Sequence, residues 1–229
     1  MTAFLVSELR IGQIRPLGPN GVASGIFKHP VTGGVMAQTL GLQGDAQGDT
    51  RHHGGPDKAI HAYAACNYPR WATDLPDLMP HFTPGAFGEN LVVQGADEAD
   101  IALGDQWQIG DALLQVSQGR QPCWRLNLRF GRPDMAARVQ GTGRTGWYFR
   151  VLQAGMIAAG DTATLKLRPH PDWTITRVSD LLYQDCLNTE ALAAFAALPG
   201  LTESWRMLAQ TRLSTGTVES WSRRIETPA

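Results

Sequence analysis

Trp107-Gln108-Ile109-Gly110-Asp111-Ala112-Leu113-Leu114-Gln115-Val116 runs directly into Ser117-Gln118-Gly119-Arg120-Gln121-Pro122-Cys123-Trp124-Arg125-Leu126-Asn127. The first stretch largely alternates apolar and polar residues around Gly110-Asp111, as strands arriving from a buried sheet do. The second breaks that pattern with Gly119 and Pro122, so it reads as a strand-end loop carrying one cysteine, Cys123. Arg120 and Arg125 flank this cysteine, and nearby cations favour a thiolate over a thiol. Such a thiolate serves as a soft metal ligand or as a nucleophile. Seven arginines (120, 125, 129, 132, 138, 144 and 150) and one acid, Asp134, lie between Arg120 and Arg150. The segment therefore carries about +6 in a chain of formal net charge −1, which points to an anionic ligand.

The 229 residues, 43% hydrophobic and 18% charged, suit one large domain or one domain with a small appendage. Near-neutral overall charge argues against a nucleic-acid polymer as partner. No apolar run approaches membrane-spanning length and the first residues show no secretion signal, so a cytoplasmic protein with no membrane partner is expected. Three cysteines, Cys66, Cys123 and Cys186, are scattered without a Cys-x-x-Cys pairing. That spacing excludes a ferredoxin-type cluster and a zinc ribbon. Cys66 and Cys186 have apolar neighbours and read as structural.

Outward from the cysteine loop, short β-type runs recur at Leu5–Ile14, Ser24–Pro30, Gly34–Leu40, Ala59–Ala65, Phe87–Val93, Ile101–Ile109, Gly146–Leu152 and Thr162–Leu167. Their spacing suggests a barrel or sandwich, with Gly41–Gly48 and Gly155–Gly160 as loops and turns. Asn67–Leu75 and Pro133–Val139 read as short helices, and Asp77–Gly85 as irregular chain. After the kink at Arg168-Pro169-His170-Pro171 the pattern turns helical: one helix follows Thr176 as its cap, and Asn188 and Thr202 precede two more. A β-domain over residues 1–168 and a three-helix unit over 174–225 are the expected organisation. Helices this short cannot bury much apolar surface alone, so the β-domain or a second subunit must cover them, and a homodimer is a reasonable expectation.

Two further stretches carry chemistry. His53-Gly54-Gly55-Pro56-Asp57-Lys58 places two glycines and a lysine where backbone amides can approach an anion; a tight turn with a surface lysine is the plainer reading. Gly88-Glu89-Asn90 stands at a strand entrance, where its paired acceptors and donors could read a heterocycle edge or simply form a turn. Zinc held by His52, His53, His61 and Cys123, or a Cys123–His53 hydrolase, would need convergence that sequence does not show.

Gln43-Gly44-Asp45, His53-Gly54-Gly55-Pro56-Asp57-Lys58-Ala59, Gly88-Glu89-Asn90-Leu91 and Ser117-Gln118-Gly119-Arg120-Gln121-Pro122-Cys123 occur in the order and spacing of the MOSC domain, the fold of the molybdenum cofactor sulfurase C-terminus. Together with Gly146-Trp147-Tyr148 and the helical tail, the chain resembles the YiiM-like branch of that family over nearly its whole length. The resemblance implies a mainly β MOSC barrel followed by a small three-helix domain. It also implies a molybdenum cofactor (Mo-pterin) with Cys123 as its metal ligand, and His53, Gly54, Gly55, Lys58, Glu89, Asn90, Arg120 and Arg125 as cofactor-binding candidates. The implied activity is reduction of small N-hydroxylated compounds such as 6-hydroxylaminopurine. Without an iron–sulfur cysteine set, electrons would come from a separate reductase protein. A sulfur carrier with a persulfide on Cys123, or a non-catalytic cofactor-binding protein, would use the same thiolate and cations. Gly119 replaces a proline common in related sequences, a change expected to loosen the loop before Cys123.

Overall fold

A computed structural model describes residues 1–48 and 54–228. In chain order its strands are β1 (Ala3–Ile11), β2 (Arg15–Leu17), β3 (Val22–Ser24), β4 (His29–Pro30), β5 (Gly34–Gln38), β6 (Gly41–Leu42), β7 (Ile60–Ala64), β8 (Leu91–Gln94), β9 (Gln106–Ile109), β10 (Ala112–Gly119), β11 (Trp147–Gln153), β12 (Gly155–Ala158) and β13 (Thr162–Leu167). Seven of them close a barrel in the order β1-β13-β9-β10-β11-β7-β8 and back to β1. Closure removes the exposed edges that an open sheet would leave. Every neighbour in the ring is antiparallel except β7 and β8. A parallel pair needs a long crossover, and here it contains the helix Asn67–Asp74 and a 3-10 segment, Pro76–His81. The 3-10 segment replaces part of the irregular chain expected there.

β7 is buried along its whole length because both of its faces are covered. Ile60, Ala62 and Ala64 point into the barrel core, whereas Tyr63 joins a second cluster outside it with Tyr68, Trp71, Phe82, Phe87 and Phe130. The Tyr63 and Phe87 rings stack at 4.4 Å. His61 shares the outward face of β7 and faces a cleft.

The helices Ile175–Tyr183, Thr189–Ala196 and Glu203–Thr215 lay Val178, Leu182, Phe195 and Trp205 into the same core as the barrel residues. Tail and barrel therefore share one continuous apolar interior. No helix among the described residues is long and apolar enough to cross a membrane.

Several local readings shift. The strand expected over Ile101–Ile109 begins only at Gln106, because Gly104 adopts a φ of +78° and the buried Asp105 carboxylate turns back to accept from Ala102 N at 3.0 Å. Gly155–Ala158, expected as a turn, is a strand on β5. The helix expected at Pro133–Val139 runs Met135–Thr142. Thr174, not Thr176, caps the first tail helix, its hydroxyl accepting from Arg177 N at 3.2 Å. Two helices, Arg125–Phe130 and Ser222–Ile225, had no sequence signal strong enough to expect them. Gly119 belongs to β10, paired with Trp147, rather than to a loosened loop. A side chain there would meet Ile175 Cγ2 at 3.2 Å.

Candidate functional site

β10 carries its ladder to Gly119, and Arg120 N then donates to Gly146 O at 3.1 Å. Chain direction changes at Pro122, and Cys123 O accepts from Leu126 N at 2.9 Å to begin the helix Arg125–Phe130. Cys123 is thus fixed between the end of a strand and the start of a helix. Ser117 ties the neighbouring turn to the same strand, its Oγ lying 2.5 Å from Asp57 O and 3.0 Å from Tyr148 O. That turn, Pro56–Lys58, begins at Gly55 with a φ of +93°, and Arg150 holds Asp57 at 2.8 Å. Glycine is the residue that adopts this conformation without strain.

These elements surround a cleft partly open to solvent. Its described lining includes Cys123, Arg120, Arg125, Lys58, Lys28, Asp45, His61, Asn90 and Tyr148. Among the described lining residues four cations stand against one carboxylate, in keeping with the arginine-rich segment that supplies two of them. Cys123 is 6% exposed and Arg120 7% exposed. Arg120 Nη1 is buried and has no hydrogen-bond partner among the described residues. A buried guanidinium nitrogen without a partner is costly unless an acceptor arrives. Arg125 also lies over the Trp124 ring, 4.8 Å from its centroid.

The facing wall is supplied by β7 and β11. His61 Nε2 lies 3.3 Å from Thr145 O, and its ring is 5.1 Å from that of Tyr148. Burial, then the charge of Arg120, hold His61 well below the usual imidazole range, so it is neutral near pH 7. Burial pushes the Tyr148 phenol up despite a hydrogen bond with Arg120, so Tyr148 keeps its proton.

Lys58, Asn90, Arg120, Cys123 and Arg125 therefore come together. Other expected residues do not. The Glu89 carboxylate is fully buried and accepts from Tyr68 Oη at 2.6 Å, Phe87 N at 3.0 Å and Gly85 N. It pins the turn entering β8 instead of reading a heterocycle. Asn90 lines the cleft, but its amide donates to Arg10 O at 3.1 Å and Asp45 Oδ2 at 2.9 Å, leaving no donor for a ligand. Gly54 and Gly55 precede the Lys58 turn and are not among the described lining residues. His53 lies outside the described residues. Among the described residues no three His, Cys, Asp or Glu side chains gather as a metal site; His52 and His53 of the zinc set lie outside the described residues.

The sequence alone gave no role to Lys28, Asp45 or Tyr148. Lys28 Nζ is 2.6 Å from both oxygens of Asp45, a buried pair at 7% and 4% side-chain exposure. Asp45 also accepts from Gly12 N at 2.8 Å. The signals in the sequence were the rarity of lysine and the positions of Asp45 and Tyr148 in motif blocks.

Residues 49–164 match the MOSC domain and residues 173–216 the YiiM-like, 3-alpha helix domain, so this chain belongs to the MOSC family. Protein YiiM of Escherichia coli (strain K12) is 36% identical over 215 residues, covering 90% of this chain and 92% of that protein. A crystal structure of YiiM from Escherichia coli superposes with a TM-score of 0.80 at 32% identity, over 94% of this chain and 100% of that one. A protein named Reductase from Gibberella moniliformis (strain M3125 / FGSC 7600) is 35% identical over 208 residues, 90% of this chain but only 37% of that protein.

The cleft fits the cofactor that the family implies. A molybdenum–pterin group asks for a soft sulfur donor and for cations to meet its phosphate. Cys123 offers the first, and Arg120, whose buried Nη1 has no partner among the described residues, offers the second.

Proposed function

We propose that this chain is a molybdenum-cofactor-dependent reductase of N-hydroxylated compounds, such as 6-hydroxylaminopurine, with Cys123 as the metal ligand. The observation that carries the reading is one cysteine sulfur sharing a cationic cleft with a buried arginine nitrogen that meets no acceptor among the described residues. A relative named Reductase, matched over 90% of this chain, supports the same class of chemistry.

In this reading Arg120, Lys58 and Arg125 bind the cofactor's phosphate through charge-assisted hydrogen bonds. Lys28 is neutralised by Asp45 and shapes the wall. When bound, the cofactor supplies the two-electron exchange that cleaves an N–O bond. Two electrons and two protons convert R–NHOH into R–NH2 and water. Because the three cysteines form no cluster motif, the electrons come from a separate donor protein. Neutral His61 and protonated Tyr148 add no further charge to the cleft wall.

The test is reduction of 6-hydroxylaminopurine by protein purified from cells that make molybdenum cofactor, with reduced methyl viologen supplying electrons. Wild type should turn over, and Cys123→Ala should lose at least ~100-fold, about 2.7 kcal/mol of transition-state stabilisation. Equal turnover by Cys123→Ala, or none by molybdenum-loaded wild type, would sink the proposal.

A further inference from the structure

The peptide groups on both sides of Cys123 are held by a residue some hundred positions away. Trp124 N donates to Arg224 O at 2.7 Å, and Arg224 Nη1 donates to Pro122 O at 2.5 Å. Arg224 Nη2 reaches Gln140 Oε1 on the helix Met135–Thr142. The loop so held has left the β10 ladder at Gly119, and Pro122 has no N–H to donate.

The gripping segment is itself anchored. Asn127 Nδ2, from the helix that follows Cys123, donates to Ile225 O at 2.9 Å. Trp221 packs edge-on against Tyr183, with ring centroids 5.6 Å apart, and Arg224 lies 5.5 Å from the centre of the same Tyr183 ring. Tyr183 Oη accepts from Gln121 Nε2 at 3.2 Å, a third hold on the loop. Trp221, Arg224 and Ile225 all lie beyond residue 216, where the match to the helical domain ends.

We propose that Arg224 is a positioning residue for Cys123, and that residues 221–227 form a strap fixing the direction and exposure of its sulfur. The proposal rests on Cys123 being the functional sulfur, but its first test needs neither cofactor nor turnover. Cofactor-free protein is alkylated with N-ethylmaleimide, and the rate at Cys123 is followed by mass spectrometry against the exposed Cys66 as an internal standard.

Releasing the loop should raise the Cys123/Cys66 rate ratio about tenfold in Arg224→Ala, the scale expected for losing a charge-assisted hydrogen bond. Arg224→Lys keeps the charge and can reach one acceptor but not fork to two, so its ratio should lie between the others. An unchanged ratio in a folded Arg224→Ala, judged by circular dichroism, overturns the proposal. Should Arg224→Ala fail to fold, Arg224→Lys decides on the same ratio, and a wild-type value overturns it. In loaded enzyme, Arg224→Ala should lower kcat about tenfold with KM changed less than about twofold, since the ligand rather than the substrate pocket is disturbed. If the labelling ratio rises while no variant, nor wild type, takes up molybdenum, the strap stands and the reductase reading fails.

Discussion

His61 is the residue whose protonation the fold most clearly resists. It is enclosed on β7, faces Arg120 and Tyr148, and is held below its ordinary value of 6.5 mainly by burial. In the unfolded chain the same imidazole protonates freely as pH falls below 6.5. The unfolded state then binds the extra proton, so His61 makes the protein less stable as pH drops through that value. The urea midpoint of wild type should therefore fall more steeply between pH 7 and pH 5 than that of His61→Gln. Parallel profiles would show that His61 is not the buried neutral group described. Legibility at this scale followed charge. Cys123, Arg120 and Arg125 were readable because a cysteine set among cations, in a loop broken by glycine and proline, stands out wherever the loop lies, and Lys58 because it follows two glycines in its own turn. Glu89 misled, and Asn90 lines the cleft with its amide donors already used, because adjacent polar residues at a strand entrance look alike whether they face a ligand or satisfy their own turn. Burial decides, and a single sequence does not display it. Lys28 and Asp45 are far apart in the chain, and nothing local reports that they meet.

The element that most directly corrects the sequence reading is the first tail helix, Ile175–Tyr183. Thr174 has extended dihedrals and its hydroxyl accepts from Arg177 N, whereas Thr176 is exposed within the first turn. Thr174→Ala should cost about 1 kcal/mol of unfolding free energy, and Thr176→Ala less than about 0.5 kcal/mol, by chemical denaturation. Equal costs would return the cap to the later threonine. Both residues are good caps by type, and the bridge between Ala102 and Thr174 that selects the earlier one is a long-range contact. The helix Arg125–Phe130 was hidden for a different reason. It is six residues long, its cap residue Trp124 offers no side-chain acceptor, and Leu126 and Phe130 alone make too short a periodic run. β12 escaped because Gly155 and Gly160 bracket it with turn signals, although its register is set by pairing to distant β5.

At the scale of the whole molecule, the barrel supplies a rigid frame and the tail completes its core. Trp173 and Phe195 pack at 5.2 Å and Phe195 and Trp205 at 5.7 Å, continuing the apolar interior past the last strand. The barrel class was legible from many short strands at turn-like spacing. Its closure was not, because it depends on β1 pairing with β13 across almost the whole barrel sequence. β7, the loop after β10 and β11 present His61, Cys123 and Tyr148 to one cleft together with the cations. The proposed function has this cleft hold molybdenum through Cys123. Metal analysis of wild type and Cys123→Ala, both purified from cells making molybdenum cofactor, tests it most directly. Close to one molybdenum per wild-type chain is expected, with its loss from Cys123→Ala. Molybdenum absent from both proteins, with cyanide-releasable sulfur on Cys123 of the wild type, would contradict the claim and leave a sulfur carrier in its place.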